Sequence, residues 1–176
     1  MNVSKYLYCS AALLMSVSVP SLVAAQPAAT SATPTKATGA TGYLAMAGAS
    51  DKYEIQSSEL ALGKSKSTAV KQFAQMMIDN HNKTTQTLVK AASSAGITPP
   101  PPQLMPAQTK MIEQLQGLSG TQFDAAYVKQ QRQAHDMALA LHRNYSKEGD
   151  VPALRTAAAG AVPIVEQHRQ HLSHMK

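Results

Sequence analysis

Cysteine is almost missing from this 176-residue chain, and tryptophan is missing altogether. The single cysteine, Cys9, falls in a stretch that reads as an export signal, so the mature chain is expected to carry no thiol. That excludes disulfides, thiolate metal sites and cysteine nucleophiles together, and leaves packing, metal binding or association to hold the fold. Long apolar runs are also lacking. The stretch Ala11 to Ala25 contains Pro20 and several serines and falls short of the roughly 20 residues that span a bilayer, so no transmembrane segment is expected in the mature protein. Strong charge is absent too. Loss of Lys5 with the signal leaves a net charge of +5, and the basic residues are scattered without interleaved aromatics. The footprint of a nucleic-acid binder is therefore missing, and weak attraction to an anionic envelope surface is the most this charge supports.

What is present divides into three parts. Residues 1–25 carry Lys5, the apolar core AALLMSVSVPSLV and the small residues Val23-Ala24-Ala25, the pattern of a cleavable signal peptide that directs the chain to the periplasm. Residues 26–42, QPAATSATPTKATGATG, have almost nothing to bury and are expected to form a disordered linker. Residues 43–176 form one domain of ordinary size.

Within that domain the apolar period is helical throughout, which predicts an all-α fold. The first helix is expected from about Tyr43 to Gly63. The second begins after Ser67, a candidate N-cap, and stops near Gly96. No helix crosses the TPPPP run at Thr98 to Pro102, and a short helix from about Pro106 to Gln116 follows it. The fourth is expected from Thr121, with Ser119 and Gln122 offering a capping box, to Lys147, with Gly149 ending it; the fifth starts at Asp150 as its cap. Four long helices with one long connection, Gly96 to Gly120, predict a four-helix bundle with a short extra helix in that connection. The connection is long enough for a ferritin-type crossover, and an up-down-up-down order is equally allowed. Pro163 is expected to kink the last helix.

The core-facing seams carry ionisable residues where leucines would be expected. His81 falls on the seam of the second helix and His168 on that of the fifth; His135 and His142 border the apolar face of the fourth, and Glu54 with Asp51 lies inward on the first. Counting from the turns at 1.5 Å per residue puts Glu54 and His81 at ~16 and ~23 Å, and His135 and His168 at ~21 and ~28 Å, so all four come near mid-height, with His142 as the outlier. Three imidazoles and one carboxylate at one level are what a mononuclear metal site requires, and such donors suit Zn, Mn, Fe or Cu(II). Glu54, His81, His135, His142 and His168 are thus the candidate ligands. The competing reading is a hydrogen-bonded polar layer that fixes helix register. A di-iron site is opposed by the lack of any Glu-x-x-His and by the irregular placement of Glu59, Glu113, Glu148 and Glu166. His171 and His174 are expected in solvent, Met77 as core filler, and a hydrolase triad has no nucleophile context in an all-α chain.

The blocks YEIQSSELALGKSKSTAVKQFAQMMIDNH, GTQFDAAYVKQQRQAHDMALALH and AVPIVEQH, in that order, resemble domain-of-unknown-function family 4142, a ferritin-like group of exported bacterial proteins. The resemblance covers nearly all of residues 43–176. It matches at Glu54, His81, His135, His142 and the segment Pro163 to His168, and it implies a ferritin-like fold and export with no established activity. The expectation is a periplasmic bundle that binds one transition-metal ion, with no residue assigned a catalytic role. A metal-dependent oxidoreductase acting on a small oxidant and a purely structural envelope module are the alternatives.

Overall fold

The computed structural model describes residues 39–175, which contain five helices and no strand. The expected signal peptide, residues 1–25, and residues 26–38 of the expected linker lie outside the described residues. The helices are α1 (Ala40–Lys64), α2 (Thr68–Ser94), α3 (Pro106–Gln116), α4 (Gly120–Glu148) and α5 (Pro152–His174). None of them is long and apolar enough to cross a membrane.

Local chemistry explains most of the boundaries. The Ser67 hydroxyl accepts from the Val70 N–H and starts α2, satisfying one of the donors that a helix N-terminus leaves open. Gly96, at φ +71°, ends α2: the Gly96 N–H donates to the Ser93 carbonyl and the Ile97 N–H to the Ala92 carbonyl, a Schellman closure that needs a left-handed residue. Proline opens both α3 and α5, where a missing N–H costs nothing.

Two expected caps are corrected. Ser119 makes no side-chain capping bond, and α5 is entered from Val151 with no cap from Asp150. Asp150 instead serves the far end of the chain: its Oδ2 accepts from the Ala40 N–H at 3.3 Å and its Oδ1 from the Tyr145 hydroxyl at 2.7 Å. That contact starts α1 at Ala40, three residues inside the expected linker. α5 runs unbroken from Pro152 to His174 with Pro163 exposed on its surface.

The helices pack as a bundle whose directions follow from side-chain contacts. Tyr43 near the start of α1 stacks on Tyr145 near the end of α4, and Ser58 meets Tyr127 in the first half of α4, so these helices are antiparallel. α2 and α5 are antiparallel as well, because Leu88 and Ala92 share a cluster with Leu154 and Ala158, while Val70 and Phe73 share another with Leu172. The short turns α1–α2 and α4–α5 then leave α2 and α4 pointing the same way. The long connection makes this possible by climbing along α1. Lys52 Nζ donates to the Pro102 carbonyl, Ile112 packs on Tyr53, and Lys64 Nζ donates to the Leu118 carbonyl.

The core has two apolar ends. One gathers Phe73, Met77, Leu115, Phe123, Tyr127 and Leu172; the other gathers Tyr43, Leu44, Leu88, Tyr145 and Leu154. Between them lies a buried polar layer.

Gly149 shows how tightly the second end is packed. A Cβ there would sit 2.5 Å from Tyr145 Cε1 and 2.6 Å from the Tyr145 carbonyl oxygen, which already accepts from the Gly149 N–H. The ring cannot swing away, since it is stacked on Tyr43 and tied to Asp150. Gly149→Ala is therefore expected to lower stability by about 1–3 kcal/mol. Gly63→Ala, at an exposed helical position with open space for the methyl group, should raise it by about 0.5–1 kcal/mol. Urea unfolding of both variants checks the pair.

Candidate metal centre

Five ionisable side chains from four helices meet in the polar layer. On α1, Asp51 and Glu54 are three residues apart and so share a face; His81 comes from α2, His135 from α4 and His168 from α5. All five are buried, and Glu54, His135 and His168 are 0% exposed. Phe73 from the neighbouring apolar cluster closes one side, with its ring centroid 6.3 Å from that of His135 and 6.5 Å from that of His168.

Each imidazole has one nitrogen tied to an outer partner. His81 Nδ1 donates to Asp51 Oδ1 at 2.8 Å and lies 3.2 Å from Glu54 Oε2. Asp51 is itself held by the hydroxyls of Thr84 and Thr85, the latter donating to Oδ2 at 2.6 Å. His135 Nδ1 donates to the Gln131 carbonyl one turn earlier at 2.8 Å. His168 Nε2 faces the Asn80 side-chain NH₂ at 2.9 Å. The remaining nitrogens of the last two rings, His135 Nε2 and His168 Nδ1, lie 3.1 Å apart.

Proton positions follow from the partners. A carbonyl only accepts, so His135 carries its proton on Nδ1 and offers a lone pair at Nε2. His168 must then donate from Nδ1 and accept at Nε2, which is what the Asn80 NH₂ group requires. The Asn80 amide, with its NH₂ toward His168 Nε2, is consistent with this assignment.

Three atoms in this layer have no hydrogen-bond partner, His81 Nε2, Glu54 Oε1 and Gln131 Oε1. Glu54 Oε1 lies 3.3 Å from His135 Nδ1, yet that N–H points at the Gln131 carbonyl. An unpartnered buried polar atom costs about 1–3 kcal/mol. The three imidazoles, His81, His135 and His168, have ligand atoms that all lie within 4.8 Å of one another and form a donor set of metal-binding dimensions. Asp51, Glu54 and His81 make a second such group that shares His81.

The layer is electrostatically divided. Burial pushes Glu54 up to about 7, with His81 opposing and Asp51 reinforcing. Burial alone would lower His81, but the Glu54 and Asp51 carboxylates override it and raise the imidazole to about 9. Burial and then the charge on His81 hold His135 down at about 3, and the same two causes hold His168 at about 2. A cation replacing the His81 proton would therefore meet carboxylates on one side and neutral imidazoles on the other.

Glu54, His81, His135 and His168 are brought together. His142 is placed elsewhere: its Nδ1 is 3.0 Å from the Tyr43 hydroxyl, and it belongs to neither ligand group. Asp51, placed inward by the sequence pattern but left out of the candidate ligands, joins the layer through its bond to His81; its spacing of three from Glu54 was the available signal. Glu59, Glu113 and Glu148 are exposed and Glu166 pairs with Arg143 on the surface, so they stand apart from the layer. His171 and His174 are exposed, and Met77 is buried in an apolar cluster.

The buried neutral imidazoles set a pH dependence. Unfolded, His135, His142 and His168 take up protons near pH 6.5; folded, they do so only near pH 3, 4 and 2. Their contribution to stability is full above pH 6.5 and is lost as pH falls toward those values. Glu54 acts in the opposite sense: its contribution is full below pH 4.5 and is lost as pH rises through about 7. His81, raised to about 9, opposes them as Glu54 does, so between pH 6 and 4.5 the unfolded chain holds about one to two more protons than the fold, and stability of the metal-free protein should fall by roughly 1.5–3 kcal/mol per pH unit of acidification. Urea unfolding at pH 6 and pH 5 measures this, and equal midpoints would contradict neutral buried imidazoles.

Comparison with curated proteins and with solved structures returned no match. Comparison with family models matched the one described as Domain of unknown function (DUF4142) over residues 24–175. With nearly the whole chain covered, from just before the expected signal cleavage point to the end of α5, the protein belongs to the DUF4142 family.

Proposed function

We propose that this protein is an exported, periplasmic helical bundle that holds a single transition-metal ion through His81, His135 and His168, with the Glu54 carboxylate beside His81 to balance its charge. The observation that carries the proposal is the convergence of three buried imidazoles with ligand atoms within 4.8 Å, one of which, His81, has an unpartnered Nε2. A polar layer serving register alone would be expected to satisfy its own members, because a partly satisfied buried network is worse than an apolar core.

The outer hydrogen bonds support the same reading. A metal-ligating histidine usually donates its other N–H to a carboxylate or a backbone carbonyl, which fixes the tautomer and raises ligand basicity. His81 has Asp51 in that role and His135 has the Gln131 carbonyl. Nitrogen and oxygen donors without sulfur suit Zn, Mn, Fe or Cu(II). Such an ion supplies Lewis acidity or, for the redox-active metals, a change of oxidation state. The protein's own share is to hold the donors rigid, keep the surroundings dry and neutralise charge with Glu54.

The fold is read as a ferritin-like four-helix bundle. Support comes from the parallel α2 and α4 and from the long connection that climbs beside α1. Export rests on residues 1–25, and N-terminal sequencing of the periplasmic protein tests it, with Gln26 as the expected first residue.

The metal claim is tested on untagged protein reconstituted with Zn(II) or Co(II). Wild type is expected to bind about one equivalent per chain. His81→Ala, His135→Ala and His168→Ala should each lose stoichiometric binding, whereas His142→Phe should keep it. Absence of bound metal in the reconstituted wild type would leave the polar layer a packing device.

A further inference from the structure

The three imidazoles are not equally ready to act as ligands, and the difference lies in their outer partners. His81 Nδ1 meets a carboxylate and His135 Nδ1 meets a backbone carbonyl, both of which only accept. Their outer N–H groups keep these partners whether or not a metal is bound, and an ion would displace only the second proton that His81 carries below about pH 9. His168 faces the side chain of Asn80, which carries a donor and an acceptor on one rotatable amide. In the observed arrangement the amide donates, so the His168 proton sits on Nδ1 and is directed at His135 Nε2. A ring in that state offers no lone pair to an ion lying between the imidazoles.

For His168 to ligate through Nδ1, its proton must sit on Nε2, and that N–H then needs an acceptor. A half-turn of the Asn80 amide presents Oδ1 where Nδ2 now stands. Asn80 has room for the change, being half-buried where the rings are buried.

Building on the metal-binding reading, we propose that Asn80 is the positioning residue of the centre: by presenting its NH₂ or its carbonyl to His168 Nε2, it sets which tautomer His168 adopts and so admits or withholds the third nitrogen ligand. The metal-free state uses the NH₂ form, which lets His168 and His135 hydrogen-bond to each other in place of opposing two lone pairs. The loaded state uses the carbonyl form.

The experiment is long-range ¹H–¹⁵N correlation spectroscopy of the histidine rings, with and without Zn(II), in the wild type and in Asn80→Asp and Asn80→Leu. In metal-free wild type, His168 is expected as the Nδ1–H tautomer, and Zn(II) should convert it to Nε2–H. Asn80→Asp, which only accepts, should show the Nε2–H tautomer before metal is added and bind Zn(II) about tenfold more tightly; Asn80→Leu, which neither donates nor accepts, should bind about tenfold more weakly. The tautomer readout separates this from a packing role, which would leave it unchanged. An Nε2–H tautomer in metal-free wild type, or the same His168 tautomer in metal-free Asn80→Asp as in wild type, overturns the role of Asn80 even if zinc binds. The expected tautomers with no zinc bound by wild type overturn the metal reading, and the ligand-admitting role with it.

Discussion

The hydrogen-bonded chain from the Asn80 amide through His168 and His135 to the Gln131 carbonyl is the constraint on which the centre of this protein depends. It joins α2, α5 and α4 across a dry interior, where each buried N–H must find an acceptor. With the Asn80 amide donating, the chain gives the rings between its ends one consistent set of proton positions. The carboxylates of α1 stay outside this chain and bond to His81 instead, which is why charge gathers on one flank and neutrality on the other.

The inward face of α1 shows what accommodating the layer required. Asp51, Glu54, Ser57 and Ser58 are all buried there, whereas the buried residues of α5 are apolar apart from His168. Three of these four groups are answered from another helix, Asp51 by Thr84 and Thr85, Ser57 by Gln131 and Ser58 by Tyr127, while Glu54 keeps one oxygen unpartnered. One polar pair would suffice to set register. The concentration at mid-height, flanked above and below by apolar clusters, exceeds what alignment of helices requires and is the ground for the proposed metal site.

Much of this was legible in the residues, and the misses share a cause. Helix types, the short helix at Pro106–Gln116 and the Ser67 cap follow from local chemistry, since proline, glycine and a hydroxyl act on neighbours a few residues away. The common height of Glu54, His81, His135 and His168 followed from helical rise. What escaped depends on partners distant in sequence. The start of α1 at Ala40 is set by Asp150, 110 residues on, and His142 is drawn to Tyr43 across 99 residues. Helix directions could not be read either, because a connection long enough to cross the bundle is also long enough not to; contacts of Lys52 and Lys64 with it decide the matter.

His142 clarifies why the centre is where it is. It lies two helical turns beyond His135 on α4, about 10 Å along the axis. There it joins a second polar path, in which the Tyr43 hydroxyl meets its Nδ1, Tyr43 stacks on Tyr145 and Tyr145 donates to Asp150. That path ends at the first N–H of α1 and ties the chain's two distant segments together. The His135 path ends at Asn80, a half-buried side chain with freedom to turn. One run of polar contacts closes the far end of the bundle, while the other carries hydrogen bonding from the dry centre to the edge of solvent.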